Sequence, residues 1–370
     1  MSLPPVAPPQ SPPVVEATGA GQPPIPRPGD IDADGADRLE KWMANAIPDH
    51  TGPISVVRFA GGQSNPTFRI ISPRRDYVLR RKPPGALLHS AHAIDREQRV
   101  MAALGPQGFP VPHVFGLCTD ATVIGSDFFL MEMVEGRIEW DPKLPDASPQ
   151  DRRLIYNAQI DGLAALHAID PAAAGLADFG RPGNYFERQL ARWTRQYRTS
   201  EAAPDPHMDK LLAWLPLYVP AEVPARIVHG DYRIDNMVLH PVRPEILAVL
   251  DWELSTLGDP LADLTYFLMM WRVPPAERIA MDGVDFETSG IPAMEEALDR
   301  YLAATGRVLA RPLEWYIAFN LFRLAAILQG VAGRAARGQA NNDRALTAQG
   351  RVGPLARAAW DNARKAGAPA

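Results

Sequence analysis

Apolar and polar positions change period along this chain, and the change marks two kinds of architecture. From Ile54 to Phe59, Thr67 to Ile71 and Tyr77 to Arg81 the pattern suits short strands, after a short helix from Ala36 to Ala46. A helix from about His92 to Leu104 follows, with Ile94, Val100, Met101 and Leu104 on its apolar face. Strands at Val114–Leu117 and Phe128–Met133 complete a small antiparallel sheet with one inserted helix. After Gly136 the pattern becomes helical. Ser148-Pro149-Gln150-Asp151 reads as an N-terminal cap with proline in the first turn, opening a helix to about His167 with Leu154, Ala158, Leu163 and Leu166 in phase. Short strands return at Arg226–His229 and Ile246–Leu250, and a long helix is predicted over Leu313–Gly330. The expected class is α+β in two lobes: a β-rich lobe over residues 31–133 and a larger, mainly helical lobe over 134–370.

Composition adds limits. Residues 1–30 are dominated by proline and read as a disordered tail, with a proline-recognition ligand as the alternative. The net charge of −5 argues against a nucleic-acid partner. Cys118 is the only cysteine and sits in a strand-like apolar run, so it reads as a buried thiol in a reducing compartment. No basic start with an apolar stretch resembles a signal peptide, and the run Leu264–Trp271 is too short to span a bilayer. The expectation is a cytoplasmic chain with no membrane partner.

The chemistry concentrates in His229-Gly230-Asp231-Tyr232-Arg233-Ile234-Asp235-Asn236. Phosphoryl transfer needs a carboxylate that orients the attacking hydroxyl and an oxygen donor to Mg²⁺ nearby. Asp231 and Asn236 have the five-residue spacing of the Asp and Asn of a kinase catalytic loop. Fifteen residues after Asn236, Asp251 ends an apolar strand, where a kinase holds the metal on the ATP phosphates. Either Asp alone would be an ordinary turn residue. Their order and spacing together favour the chemical reading. The intervening Met237-Val238-Leu239 and Ile246–Leu250 suit a hairpin carrying Asn236 and Asp251.

These motifs, with the strings GGQSNPTF, YVLRRKPPG, HGDYRIDN and VLDWELSTLGDPLADL, resemble the aminoglycoside phosphotransferase-like family of kinase-like fold. They are closest to the phosphotransferase domain found fused to acyl-CoA dehydrogenases, and the likeness covers about Val56 to Trp271. The resemblance implies a two-lobed enzyme that places Mg-ATP in an interlobe cleft and phosphorylates an alcohol group. Asp231 would be the base, and Arg233 would steady the γ-phosphate or serve as a structural ion pair. Asn236 and Asp251 would hold Mg²⁺. Gly61, Gly62 and Ser64 would form the turn over the phosphates. Val78 would roof the adenine, and Arg80, paired with Glu97, would reach the phosphates, with Arg81 or Lys82 as alternatives one or two positions on. Glu132 and Met133 would lie in the hinge along the adenine edge. Asp259-Pro260 would cap and open a helix. An Asp of this region braces the catalytic loop in the family, so Asp259 and Asp263 would be structural support. His167 would be a satisfied core histidine.

The resemblance further implies a hydroxy fatty acid or hydroxyacyl-CoA as acceptor, and a functional link to an acyl-CoA dehydrogenase. The competing expectations are an aminoglycoside kinase, with Glu295, Glu296 and Asp299 as the cation-binding cluster, and a nucleotide-binding pseudokinase scaffold. No G-x-S-x-G, Walker A or Rossmann fingerprint supports another enzyme class.

Overall fold

The structure is a computed structural model describing residues 30–59, 65–83, 94–181, 183–200, 204–336 and 342–369. The glycine turn with Gly61, Gly62 and Ser64 lies outside the described residues, as does the proline tail up to residue 29. The chain divides into two compact units. One comprises residues up to Ala102 together with Pro112–Arg137; the other comprises Ala103–Val111 with Ile138 onward.

In the first unit, helix α1 (Ala33–Ala46) is opened by Asp32, whose carboxylate accepts the Gly35 N–H at 2.7 Å. Strands β1 (Ser55–Arg58), β2 (Thr67–Ile71) and β3 (Tyr77–Arg81) precede α2 (Ile94–Leu104). Strand β4 (Val114–Cys118), the one-turn α3 (Ala121–Ile124) and β5 (Phe128–Glu132) follow. The strands form one antiparallel sheet in the order β1-β2-β3-β5-β4. Strand alternation divides its faces. Phe68, Ile70, Leu79, Phe128 and Leu130 share one face and close a core with Leu39 and Met43 of α1. Each such side chain contributes about 1.5–3 kcal/mol by leaving water. Val78 and Arg80 take the other face. Cys118 is buried in the same core, and burial pushes its thiol pKa up.

The second unit is mainly helical. Its first helices are α4 (Pro149–Ala168), α5 (Tyr185–Ser200) and α6 (Pro206–Trp214). Short strands β6 (Arg226–Val228), β7 (Met237–Leu239), β8 (Ile246–Val249) and β9 (Thr256–Gly258) lead into α7 (Pro260–Leu268). Helices α8 (Met294–Thr305), α9 (Leu313–Ala336) and α10 (Asn342–Lys365) complete the chain. Ser148 Oγ accepts the Asp151 N–H at 3.1 Å, so α4 starts where the Ser-Pro pair predicts. Its predicted apolar face holds in the C-terminal half, where Leu163 and Leu166 are buried, and differs in the N-terminal half. Leu154 is 43% exposed, while Ile155, Tyr156, Ile160 and Leu163 are buried. The larger aromatic decides the phase: Tyr156 is enclosed and donates its hydroxyl to Pro142 O at 2.7 Å.

Helix α9 packs on α5, α7 and α10. The stretch Leu313–Gly333 is long and apolar enough to cross a bilayer, but 72% of its most apolar window is buried in the unit. It also carries Asn320 and Arg323, which hydrogen-bond to Ala262 and Gly230. A helix that spends its polar groups on its own neighbours reads as a core helix.

The β7–β8 hairpin positions the site. Met237 pairs with Val249, and the Leu250 N–H donates to Asn236 O at 2.8 Å. Asn236 and Asp251 therefore flank the open end of one two-stranded ribbon, as the sequence predicts.

Candidate active site

Asp231 sits on the loop between β6 and β7, and four donor contacts fix its carboxylate. Oδ1 accepts from Tyr266 Oη at 2.6 Å and Arg233 Nε at 2.9 Å. Oδ2 accepts from Arg233 Nη2 at 3.2 Å and Asn236 Nδ2 at 3.1 Å. Burial pushes this carboxyl up. The adjacent Arg233 charge and the Tyr266 and Arg233 hydrogen bonds outweigh that, holding its pKa below the usual carboxylate value. Asp231 is thus an anion of fixed orientation at neutral pH.

The loop around it is braced from three sides. Asp263 of α7 accepts the backbone N–H of His229 at 2.6 Å and of Gly230 at 2.7 Å. Arg323 of α9 donates Nη2 to Gly230 O at 2.8 Å, with its guanidinium 5.1 Å from the Tyr266 ring centroid. His229 supplies the third brace. Its Nδ1 accepts the Asp231 N–H at 3.2 Å, so its Nε2 carries the proton donated to Leu250 O at 2.9 Å. One imidazole therefore joins the Asp231 loop to the strand end that carries Asp251.

Gly230 has φ +84°, and a Cβ there would come 2.8 Å from Leu254 O. This explains glycine where protein kinases carry arginine. Asp251 also adopts a left-handed backbone, at φ 65° and ψ 57°, a conformation Asp tolerates better than bulky residues do.

Asn236 donates Nδ2 to Asp231 O at 2.9 Å as well as to Oδ2. Its amide nitrogen is committed to the loop, which leaves the carbonyl oxygen as its ligand atom. Among the described residues no three His, Cys, Asp or Glu side chains gather to hold a metal by themselves. One amide oxygen and one carboxylate fit a hard cation that takes its remaining ligands from phosphates and water. That donor set suits magnesium arriving with a nucleotide.

In the first unit, Arg80 Nη1 lies 2.5 Å from Glu97 Oε1, and the carboxylate is buried. Neither alternative occupies that place: Arg81 Nε donates to Ser126 Oγ at 3.0 Å, and Lys82 pairs with Asp127 at 2.6 Å. Val78 is buried opposite Met131. Glu132 ends β5, its Oε2 3.3 Å from the His113 N–H, and Met133 follows it.

Asp259 caps α7 by accepting the Leu261 N–H at 2.8 Å. His167 is enclosed, with Nδ1 2.6 Å from Tyr301 Oη and Nε2 3.4 Å from Asp263. Burial lowers its pKa, so it rests neutral. It is a core histidine as expected, but only Nδ1 is hydrogen-bonded, and Nε2 makes no hydrogen bond with Asp263. Of the three acids proposed to meet a polycation, Glu296 accepts the Ala293 N–H and pairs with Arg153 at 3.0 Å, while Glu295 lies 3.5 Å from Arg272.

Sequence reasoning overlooked Tyr266, Arg323 and Arg278. Tyr266 was recoverable. It lies three residues after Asp263, hence on the same helix face as a residue expected to brace the loop. Arg323 and Arg278 reach the loop from 93 and 43 residues away, and no local spacing announces them.

The sequence profile of the phosphotransferase enzyme family matches residues 55–315. Mouse acyl-CoA dehydrogenase family member 10 is 44% identical over 334 residues, covering 90% of this chain and 31% of its own. Human acyl-CoA dehydrogenase family member 11 is 39% identical over 320 residues, covering 86% and 41%. The chain thus spans about a third to two-fifths of these curated relatives. A crystal structure from Ralstonia eutropha JMP134, provisionally named an aminoglycoside phosphotransferase, is 44% identical with TM-score 0.83, covering 91% of this chain and 99% of its own. Macrolide 2'-phosphotransferase from Brachybacterium faecium, 19% identical with TM-score 0.56 and covering 86% and 98%, shares the fold. The chain belongs to the phosphotransferase enzyme family and has its kinase-like α+β fold.

Proposed function

We propose that this enzyme transfers the γ-phosphoryl group of Mg-ATP to a hydroxyl of a small metabolite, a hydroxy fatty acid or a hydroxyacyl-CoA. The observation that carries the reading is the carboxylate of Asp231. It is held by Arg233, Tyr266 and Asn236 on a loop whose His229 bonds to the strand end bearing Asp251. The acceptor hydroxyl donates its hydrogen bond to Asp231, which orients the oxygen lone pair toward the γ-phosphorus. The new O–P bond forms as the bond to the β,γ-bridging oxygen breaks, ADP leaves, and the hydroxyl proton passes to Asp231. A carboxylate of low pKa accepts that proton late, so its main contribution is orientation. Asn236 and Asp251 would hold magnesium, which supplies charge neutralisation on the phosphate oxygens. Arg80, fixed by Glu97, would neutralise the inner phosphates, and Arg233 would share its charge between Asp231 and the transferred group.

The acceptor class is suggested by the relatives that carry acyl-CoA dehydrogenase names at 39–44% identity. An aminoglycoside acceptor is the second reading, prompted by the name of the Ralstonia eutropha structure. A screen of ATP consumption against hydroxyacyl-CoAs, free hydroxy acids and aminoglycosides separates them, with Asp231→Asn as control. Turnover on the acyl acceptors, lost by about 10²–10⁴-fold in Asp231→Asn, is expected. Nucleotide binding without turnover on any of the three would favour a scaffold. Full activity in a folded Asp231→Asn protein would exclude the base.

A further inference from the structure

We propose that Trp140 and Arg278 form the seat of the acceptor, and that the seat takes an anionic group carried on an apolar or planar body. The inference rests on the phosphotransferase reading and names the substrate class for that same centre.

Trp140 is 63% exposed. A single exposed apolar side chain is ordinary, so the arrangement around this one decides. The Arg278 guanidinium lies 5.9 Å from the Trp140 ring centroid, and its Nη1 donates to Trp140 O at 3.1 Å. Ring and guanidinium are thereby fixed together as an aromatic shelf with a cationic edge.

The shelf is joined to the catalytic loop. Arg278 Nη2 donates to Asp235 Oδ2 at 2.6 Å. The same oxygen lies 3.4 Å from Arg233 Nη1, and Arg233 grips Asp231. Two guanidinium groups thus share one buried carboxylate oxygen, and the inner one holds the base.

Charge and hydrogen-bond capacity select the occupant. Asp235 is neutralised by its two arginines, and Asp282 nearby in sequence is paired with Lys143 at 2.9 Å. The Arg278 side chain is 52% exposed. Among the described residues it makes two hydrogen bonds, so three of its five N–H groups remain for a ligand. A carboxylate or phosphate satisfies a guanidinium fork in plane, and an alkyl chain or a base covers the indole. The guanidinium edge offers a polycation no acceptor, while Glu139 and Asp141 flank Trp140 in sequence, so a polycation is the competing ligand the test must include.

The test is calorimetry on the full chain with coenzyme A, decanoate and kanamycin in the presence of Mg-AMP-PNP. The two anionic probes separate a nucleotide-linked acid from a free one. At least one of them is expected to bind the wild type. Its Kd should rise about tenfold or more in Arg278→Glu and Trp140→Ala, and recover in part in Arg278→Lys and Trp140→Phe. Kanamycin should bind more weakly than that probe. The Kd of AMP-PNP, which reports folding and nucleotide binding, should stay within about twofold in the two Trp140 variants, whose side chain lies outside the Arg278–Asp235–Arg233 ion-pair chain. Normal AMP-PNP binding with neither anion bound, with an anion Kd unmoved by the variants, or with kanamycin as the tightest ligand overturns the seat alone. Failure of the wild type to bind AMP-PNP overturns the phosphotransferase reading and the seat with it.

Discussion

Replacing Asp259 by asparagine should make the protein less sensitive to alkaline pH while preserving the start of α7. Asp259 is buried, and burial pushes its carboxyl from the ordinary 3.8 up to about 6, against partial opposition from the Leu261 N–H and the Arg307 charge. The folded chain therefore keeps a proton that the unfolded chain releases between those values. Stability linked to this group is full below the unfolded pKa and is lost as pH rises through the folded one. Two pH units at ~1.4 kcal/mol each put the loss at about 3 kcal/mol. Asparagine caps a helix about as well as aspartate and does not titrate. In urea titrations of both proteins from about pH 4 to about pH 8, groups common to the pair cancel in the difference. The stability of Asp259→Asn relative to wild type should climb by about 3 kcal/mol across that range. A flat difference, or one that falls with pH, would refute the idea that a buried, partly neutral carboxyl sits at this cap.

Three further outcomes follow from the same network. Tyr266→Phe removes the 2.6 Å bond to Asp231 and should raise the carboxyl pKa, moving the acid limb of the kcat/KM profile to higher pH; an unmoved limb would show that Tyr266 does not tune the base. Arg80→Ala should raise the nucleotide KM by about tenfold with little change in acceptor KM, and Glu97→Gln should do so more weakly, as steady-state kinetics with each substrate varied would show. Asp263→Ala leaves the His229 and Gly230 N–H groups without their acceptor at about 1–3 kcal/mol each, so their hydrogen exchange should accelerate at least tenfold while amides of the first-unit sheet stay protected.

Legibility in the sequence followed the range of the physics involved. Strand alternation is a local rule, and it placed Leu79 against the core and Arg80 on the opposite face. The pairing of Arg80 with Glu97 came from the family resemblance instead. Hairpin formation over Met237–Leu239 and Ile246–Val249 is nearly as local, and it brought Asn236 and Asp251 to one ribbon end from a spacing of fifteen residues. The phase of α4 held at Leu163 and Leu166 but not at Leu154, because Leu154 and Tyr156 both fit a helical apolar stripe. Only the enclosure of Tyr156, with its hydroxyl spent on Pro142, chooses between them.

The role of Arg233 was open for a similar reason. Two residues after Asp231, the same side chain could face a phosphate or its neighbour, and the fold gives it Asp231 on one edge and Asp235 on the other. That dual engagement ties the base to its surroundings in a definite way. Asp231 cannot turn without disturbing Arg233, Arg233 cannot leave without exposing Asp235 to a single cation, and that cation is Arg278 on the exposed indole of Trp140. A site built in this manner couples what settles on the outer arginine to the orientation of the inner carboxylate, because both arginines draw on the same oxygen of Asp235.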